Sequence, residues 1–69
     1  MNFAVIYEKT RAGYSAYVPD LPGCVATGDS LEEVKRLMEE GIAFHLEGMR
    51  QDGLPIPEPT TAVAYADVA

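Results

Sequence analysis

The sequence predicts an α+β fold with the element order β-β-β-α-β, in which one long helix packs on one face of a small mixed sheet. Short runs of β-favouring residues, several with alternating polarity, precede residue 30 and return near the C-terminus. Between them lies an apolar stripe with the i, i+3/i+4 spacing of an amphipathic helix. The chain has only 69 residues, so these elements are predicted to form one domain over residues 1–69.

The first strand is predicted over Phe3–Tyr7, an unbroken run of apolar and β-favouring residues. Alternate side chains of this run would point to opposite faces, and both sets are apolar. A strand of this kind is usually central in its sheet and covered on both sides. The chain has one helix to act as a cover, and a chain this short buries only about 60% of the surface of its unfolded form. We therefore expect a homo-oligomer, most simply a dimer.

The stretch Tyr14–Glu33 contains the next two strands and the start of the helix. A polar loop ending at Gly13 has the length of a hairpin connection, so the second strand, Tyr14–Val18, is predicted to run antiparallel to the first. The PDLPG segment that follows is predicted to form a rigid turn, because its prolines lack backbone donors and its glycine has free torsions. Val25–Gly28 is then a third strand, short enough for a sheet edge.

The helix is predicted to run from about Leu31 to Asp52. Ser30 and Glu33 form the Ser-x-x-Glu pattern, in which each side chain can bond the other residue's backbone N–H at a helix start. Gly53 and the prolines after it end the helix. The apolar stripe consists of Leu31, Val34, Met38, Ile42, His45 and Met49.

Two glycines lie in the interior of this helix, where each costs ~1 kcal/mol relative to alanine. Gly41 and Gly48 are a heptad apart and flank the apolar stripe beside Leu37 and Phe44. Small residues at these positions would let another backbone come close. Either the protein's own sheet or a second subunit could supply that backbone, so these four residues are candidate oligomer contacts.

Alternation returns over Thr60–Tyr65, where Val63 and Tyr65 would face one side and alanines the other. We predict a last strand there. A helix between two strands of one sheet implies a right-handed crossover. The third and fourth strands should therefore be parallel, which makes the predicted sheet mixed.

No pattern in the chain indicates catalysis. His45 lies inside the apolar helix stripe with no orienting group one turn away, so we interpret it as a half-buried core residue. Cys24 lies before the helix and His45 far along it, which favours a structural thiol over a nucleophile. Asp20 and Asp29 suit turn and capping roles. We expect no catalytic residue, no cofactor and no metal site.

The chain is acidic, with eleven acidic residues against five basic ones and a net charge of −6. A negative field repels phosphate backbones, so direct nucleic-acid binding is disfavoured. The charge either favours encounter with a basic partner or serves solubility alone. The N-terminus lacks the positive region of a signal peptide, and no apolar run approaches the ~20 residues of a membrane span. We expect a soluble, cytoplasmic protein.

Three segments, YSAYVPDLPGCVATGDSLEEV, HLEGMRQDG and LPIPEP, occur in this order and resemble those of HicB antitoxins and of stand-alone HicB-like proteins. The resemblance covers nearly the whole chain, to about Tyr65. It implies a partial ribonuclease-H-like fold without nuclease activity, since the carboxylate cluster that a nuclease of this fold needs is not evident. It also implies a HicA toxin as partner, a small basic protein that cleaves RNA with a histidine and is blocked when the antitoxin covers it.

The sequence departs from full HicB antitoxins at its C-terminus, where they carry a DNA-binding helix-turn-helix or ribbon-helix-helix. We therefore expect no direct DNA binding by this chain. Two functions are favoured: neutralisation of a toxin, or an orphan role as an oligomeric protein with a ligand-binding or structural task. A third, a small hydrolase that uses His45 or Cys24, ranks last. Two surfaces are candidates for partner binding, and both also suit ordinary turn-making and solvation. They are the pre-ordered turn Asp20, Leu21, Pro22 and Gly23, and the acidic helix surface Glu39, Glu40 and Glu47.

Overall fold

The computed structural model describes all 69 residues and contains three strands followed by one helix. The elements are β1 (Ile6–Lys9), β2 (Tyr14–Tyr17), β3 (Val25–Gly28) and α1 (Leu31–Gln51). The strands form one antiparallel sheet in the order β1-β2-β3, and α1 packs against β2 and β3. The α+β fold, with three antiparallel strands before one long helix on one sheet face, is confirmed.

The sheet has β2 at its centre, which corrects the expected position of the first strand. Ala16 of β2 is paired with Tyr7 of β1 on one side and with Ala26 of β3 on the other. Within one chain β1 is therefore an edge strand, although the apolar composition of Phe3–Tyr7 is that of a central strand. Its ladder also begins only at Ile6, because β2 ends at Tyr17 and offers no partner to earlier residues.

The fourth strand predicted over Thr60–Tyr65 is not formed in the single chain, and the sheet is antiparallel rather than mixed. No backbone hydrogen bond involves residues 55–69 other than those donated to a side chain. The alternating pattern makes a strand possible, but a strand also needs a neighbouring edge. Residues 60 and 61 are held by Asp20 instead, and the chain beyond them leaves the body of the domain.

The segment after β2 forms a hydrogen-bonded turn at the predicted place. The Val18 N–H donates to the Cys24 carbonyl oxygen at 3.2 Å, and the Cys24 N–H donates to the Leu21 carbonyl oxygen at 3.1 Å. Gly23 has a φ of 85°, a conformation that L side chains rarely adopt. The Leu21 side chain is only 1% exposed, so it fixes the turn to the core.

The helix begins and ends by local signals that the sequence carries. The Ser30 Oγ accepts a hydrogen bond from the Glu33 N–H at 3.2 Å, which satisfies one free donor of the first turn. At the other end Gly53 has a φ of 70°. Its N–H donates to the Arg50 carbonyl oxygen and the Leu54 N–H donates to that of Met49, the paired bonds of a Schellman ending.

The core lies between the sheet and the first half of α1. Its six buried residues are Ala16, Val18, Leu21, Cys24, Val34 and Met38. The next row of the sheet, Ile6, Tyr17 and Val25, points away from α1 because successive strand residues alternate between faces. Of the predicted helix stripe, Val34 and Met38 are buried and the other members are half-buried. No helix is both long and apolar enough to span a membrane.

Candidate functional site

An open groove of about 600 Å³ lies between the turn after β2 and the C-terminal half of α1. Pro22 and Gly23 of the turn form one side, together with Val25 at the start of β3. Helix residues one turn apart form the other side, and the groove ends near Leu54. It is the one groove of this size in the structure.

The helix side of the groove is shaped by Gly41 and Gly48. A Cβ atom at either position would meet no atom of the chain within 4 Å. The interpretation that these glycines allow close packing on the protein's own sheet is therefore wrong. They instead leave a flat strip of helix backbone along the groove, which a second molecule can approach closely.

Large apolar side chains border this strip without cover. Phe44 is 83% exposed and Leu54 is 53% exposed, and both line the groove. Val25 also lines it, but its side chain points to the sheet face away from α1. Burying a side chain of this size contributes roughly 1.5–3 kcal/mol, so the groove offers a binding free energy that the single chain leaves unused. Gly41, Phe44 and Gly48, three of the four predicted oligomer contacts, meet here, whereas Leu37 is half-buried and does not line the groove.

The predicted turn residues separate into three environments. Pro22 and Gly23 are exposed and line the groove. Leu21 is buried in the core, so its side chain is not available to a partner. Asp20 lies outside the groove lining, and its contact with a partner stays a prediction.

The carboxylate of Asp20 ties the turn to the C-terminal segment. It accepts hydrogen bonds from the Thr60 N–H at 3.1 Å and the Thr61 N–H at 3.0 Å. The hydroxyl groups of the same two threonines donate to its second oxygen at 3.1 and 2.9 Å. The Thr61 N–H is the main cause that lowers the pKa of Asp20 below its usual value, and the other three bonds act in the same direction against the opposing effect of burial.

The three predicted acidic residues do not form one surface. Glu40 and Glu47 stand four residues before and three residues after Phe44, so they are its neighbours on the surface of α1, although they are not part of the groove lining. They are exposed and pair with Arg36 at 3.5 Å and with Arg50 at 3.3 Å. Glu39 is on the opposite flank, where its charge adds to the effect of burial in raising the pKa of Tyr7.

His45 and Cys24 both line the groove, although their separation along the chain suggested distant positions. They do not form a catalytic pair, since no hydrogen bond involves either side chain. The thiol is buried, and burial raises the pKa of Cys24, which favours the thiol over the thiolate that a nucleophile needs. No group of three or more His, Cys, Asp or Glu side chains is placed to hold a metal ion.

Sequence reasoning missed Val25 and Leu54 as members of this site. The sequence predicts only a strand for Val25, and the sheet face that Val25 occupies depends on its register with Tyr17. Leu54 follows the glycine that ends α1, a position where an apolar residue often contacts the last helical turn. That signal was available in the sequence.

A family model described as the HicB-like antitoxin of bacterial toxin–antitoxin systems matches residues 3–68. An uncharacterized 14.9 kDa protein of Haemophilus phage HP1 is 38% identical over 65 residues, which cover 94% of this chain and 49% of the phage protein. A UPF0150 protein of Helicobacter pylori is 35% identical over 70 residues, covering 100% of this chain and 97% of that protein. The chain thus spans about half the length of the first relative and nearly all of the second.

The fold is also similar to that of a solved complex titled "HicA3 and HicB3 toxin-antitoxin complex". The TM-score is 0.72 at 30% sequence identity, and the match covers 87% of this chain and 70% of the solved one. The two chains are therefore similar in sequence as well as in fold.

Proposed function

Because the chain belongs to the family of HicB-like antitoxins of bacterial toxin–antitoxin systems, we propose that it binds and inhibits a small basic toxin of the HicA type, which cleaves mRNA. The role of this family is toxin binding and not catalysis. The solved relative is named for a complex of this kind. The groove beside α1 is the surface that we assign to the toxin.

The observation that carries the proposal is the flat glycine strip beside an uncovered phenylalanine. Gly41 and Gly48 reduce the stability of the helix without serving any contact inside the chain. Phe44 leaves most of its ring in water. Aromatic side chains are enriched among the anchors of protein interfaces. A toxin backbone lying along the strip would bury the Phe44 ring on a surface that is already formed.

Charge supports a basic partner at the same place. Asp52 lines the groove, and Glu40 and Glu47 lie next to Phe44 on the helix surface beside it. Within a chain of net charge −6, these acids would steer a basic toxin toward the groove and hold its orientation. We also propose that the chain does not bind DNA by itself, since the same field repels phosphate groups.

The test is co-expression with a HicA-type toxin from the same genome, combined with a direct binding measurement. The intact protein should restore growth. Phe44→Ala should weaken toxin binding by about 30-fold, or ~2 kcal/mol, the size of an interface hot spot. Its own fold should be nearly unchanged, because the ring is 83% exposed. Lys35→Ala, an exposed position on the same helix but outside the groove, is the control and should bind normally.

Two results would separate the alternatives. If growth arrest persists with the intact protein present, the antitoxin role is excluded and an orphan role gains support. If growth recovers but Phe44→Ala binds as tightly as the intact protein, the toxin uses a surface other than this groove. A concentration-dependent mass that changes with Phe44→Ala would assign the groove to a contact between two copies of the chain.

A further inference from the structure

We propose that the C-terminal arm, residues 62–69, adds as a strand to the open edge of β1 in a second copy of the chain, so that two copies exchange their arms. This inference concerns a different surface from the toxin groove and does not depend on the proposed function. It rests on an exposed arm without hydrogen bonds, a fixed point from which the arm leaves, and a strand edge whose apolar composition favours a neighbour.

The arm has the pattern of a strand but no partner in its own chain. All of its residues are exposed, with Tyr65 at 96% and Val68 at 83%. None of its backbone groups forms a hydrogen bond. The molecule is accordingly elongated, with a radius of gyration of 13.5 Å and a longest dimension of 46 Å, whereas a compact chain of this length has a radius near ~11 Å.

The base of the arm is fixed in position. Thr60 and Thr61 donate four hydrogen bonds to the Asp20 carboxylate, on the turn that follows the central strand. The arm is therefore tied at its first residues and free beyond them. A segment held in this way loses less conformational freedom when it docks than a loose tail would.

The open edge of β1 is the surface that fits this arm. Only one edge of β1 is paired, and residues 1–5 before it form no backbone hydrogen bonds. Phe3–Lys9 thus offers seven residues of open edge, close to the eight of the arm. A strand from a second copy would turn β1 into a central strand, which is the position that the apolar residues of Phe3–Tyr7 favour. Unpaired edges of this kind readily accept a strand from another chain.

The other edge of the sheet is a poorer acceptor. Both edge strands have four paired residues, but β3 ends at Gly28 and the proline turn precedes it, so its edge has no apolar extension like residues 3–5 before β1. Short edge strands with glycine resist strand addition. The single chain also leaves its own arm and its own β1 edge unpaired at the same time. Exchange of arms between two copies would pair each arm with the β1 edge of the other copy.

The test compares the mass in solution of the full chain with that of a variant carrying Val63→Pro and Tyr65→Pro. Prolines remove two donors that a strand needs, and both residues are exposed and form no hydrogen bond in the single chain, so the helical circular dichroism should not change. We expect the full chain to have twice the 7.5 kDa mass of one copy and the proline variant to have the mass of one. Val63→Ile with Tyr65→Phe keeps the donors and should remain a dimer.

Hydrogen exchange identifies the partner edge in the same samples. In the dimer, amides on the open edge of Phe3–Lys9 and in the arm should be protected, and both sets should lose protection in the proline variant. A full chain that stays monomeric would overturn the proposal. So would a dimer that is unaffected by the prolines, or an arm that is protected at the mass of one copy, which would place it on its own sheet.

Discussion

The interior glycines of α1 have opposite effects on the stability of the chain and on the surface it presents. Inside the chain they only weaken the helix, because no atom of the protein comes near the missing Cβ groups. At the surface they open the groove beside Phe44. Because Gly41 and Gly48 lower the stability of the helix and make no internal contact, we explain them by the space that they leave for a second molecule.

Gly41→Ala and Gly48→Ala should therefore stabilise the protein and weaken toxin binding together. We expect each substitution to raise the free energy of unfolding by about 1 kcal/mol, because alanine is the better helix former. Each added methyl group should also lower the affinity for the toxin by filling the strip. Denaturant unfolding and a binding titration measure the two effects.

The matched control for both substitutions is Ala43→Gly, at an exposed position on the far side of α1. It should destabilise the helix by about 1 kcal/mol without changing toxin affinity. Loss of stability in Gly41→Ala or Gly48→Ala would mean that the glycines serve the chain itself. Unchanged affinity would mean that the toxin does not approach the strip.

Local sequence signals predicted the helix well, and they could not predict which flank of it meets the sheet. The Ser30 cap and the Gly53 ending lie within a few residues of the positions they control. The direction of the Gly41 flank depends on the angle at which α1 crosses the sheet, which no short pattern encodes. The same limit applied to the groove, because it joins residues 22–25 with residues 41–54.

Among the elements, the C-terminal segment shows most clearly why strands are harder to predict than helices. A helix satisfies its backbone within itself, whereas a strand needs another strand. The alternation of Thr60–Tyr65 was identified correctly, but no neighbour for it exists inside one chain. What holds the start of this segment is the Asp20 carboxylate, 40 residues away in sequence from Thr60.

This attachment should depend on pH. Hydrogen bonds from Thr61 and Thr60 lower the pKa of Asp20 below its usual value of 3.8, so the bonds favour the charged carboxylate. Their contribution is complete above that usual value and is lost as the pH falls through the lowered pKa of the folded protein. The amide resonances of Thr60 and Thr61 should shift together in that acid range.

Asp20→Asn supplies the comparison for this titration. The amide keeps one acceptor oxygen but carries no titrating charge, so the acid-range shift at Thr60 and Thr61 should disappear. Resonances that move in the same way in both proteins would show that another group controls the segment. A pKa of Asp20 at or above 3.8 would contradict the described hydrogen bonds.

At the scale of the whole molecule, the net charge of −6 and the acids beside the groove should make separable contributions to the toxin binding that we propose. The overall field affects the rate of encounter, while charges at the contact also affect how long the complex lasts. Glu47→Lys and Glu39→Lys each change the net charge by the same amount, from −6 to −4, since one acid becomes one base. They differ in position, because only Glu47 lies beside Phe44 on the surface of α1.

Both substitutions should slow association with the toxin to a similar extent at low salt. Glu47→Lys should in addition lower the affinity by about tenfold, or ~1.4 kcal/mol, through faster dissociation that persists at high salt. Stopped-flow association and dissociation rates over a salt series provide the measurement. Equal dissociation rates for the two variants would mean that the toxin does not contact the helix surface around Glu47.

The uncovered arm also determines how the chain meets proteases. A protease binds its substrate as an extended segment without internal hydrogen bonds, which is the conformation of residues 62–69 in the single copy. Tyr65 offers an enzyme of chymotrypsin-like specificity an open cleavage site there. If two copies exchange arms, the cleavage site is covered in the dimer and open in the monomer. Because a higher protein concentration favours the dimer, the lifetime of the intact chain would rise with its own concentration.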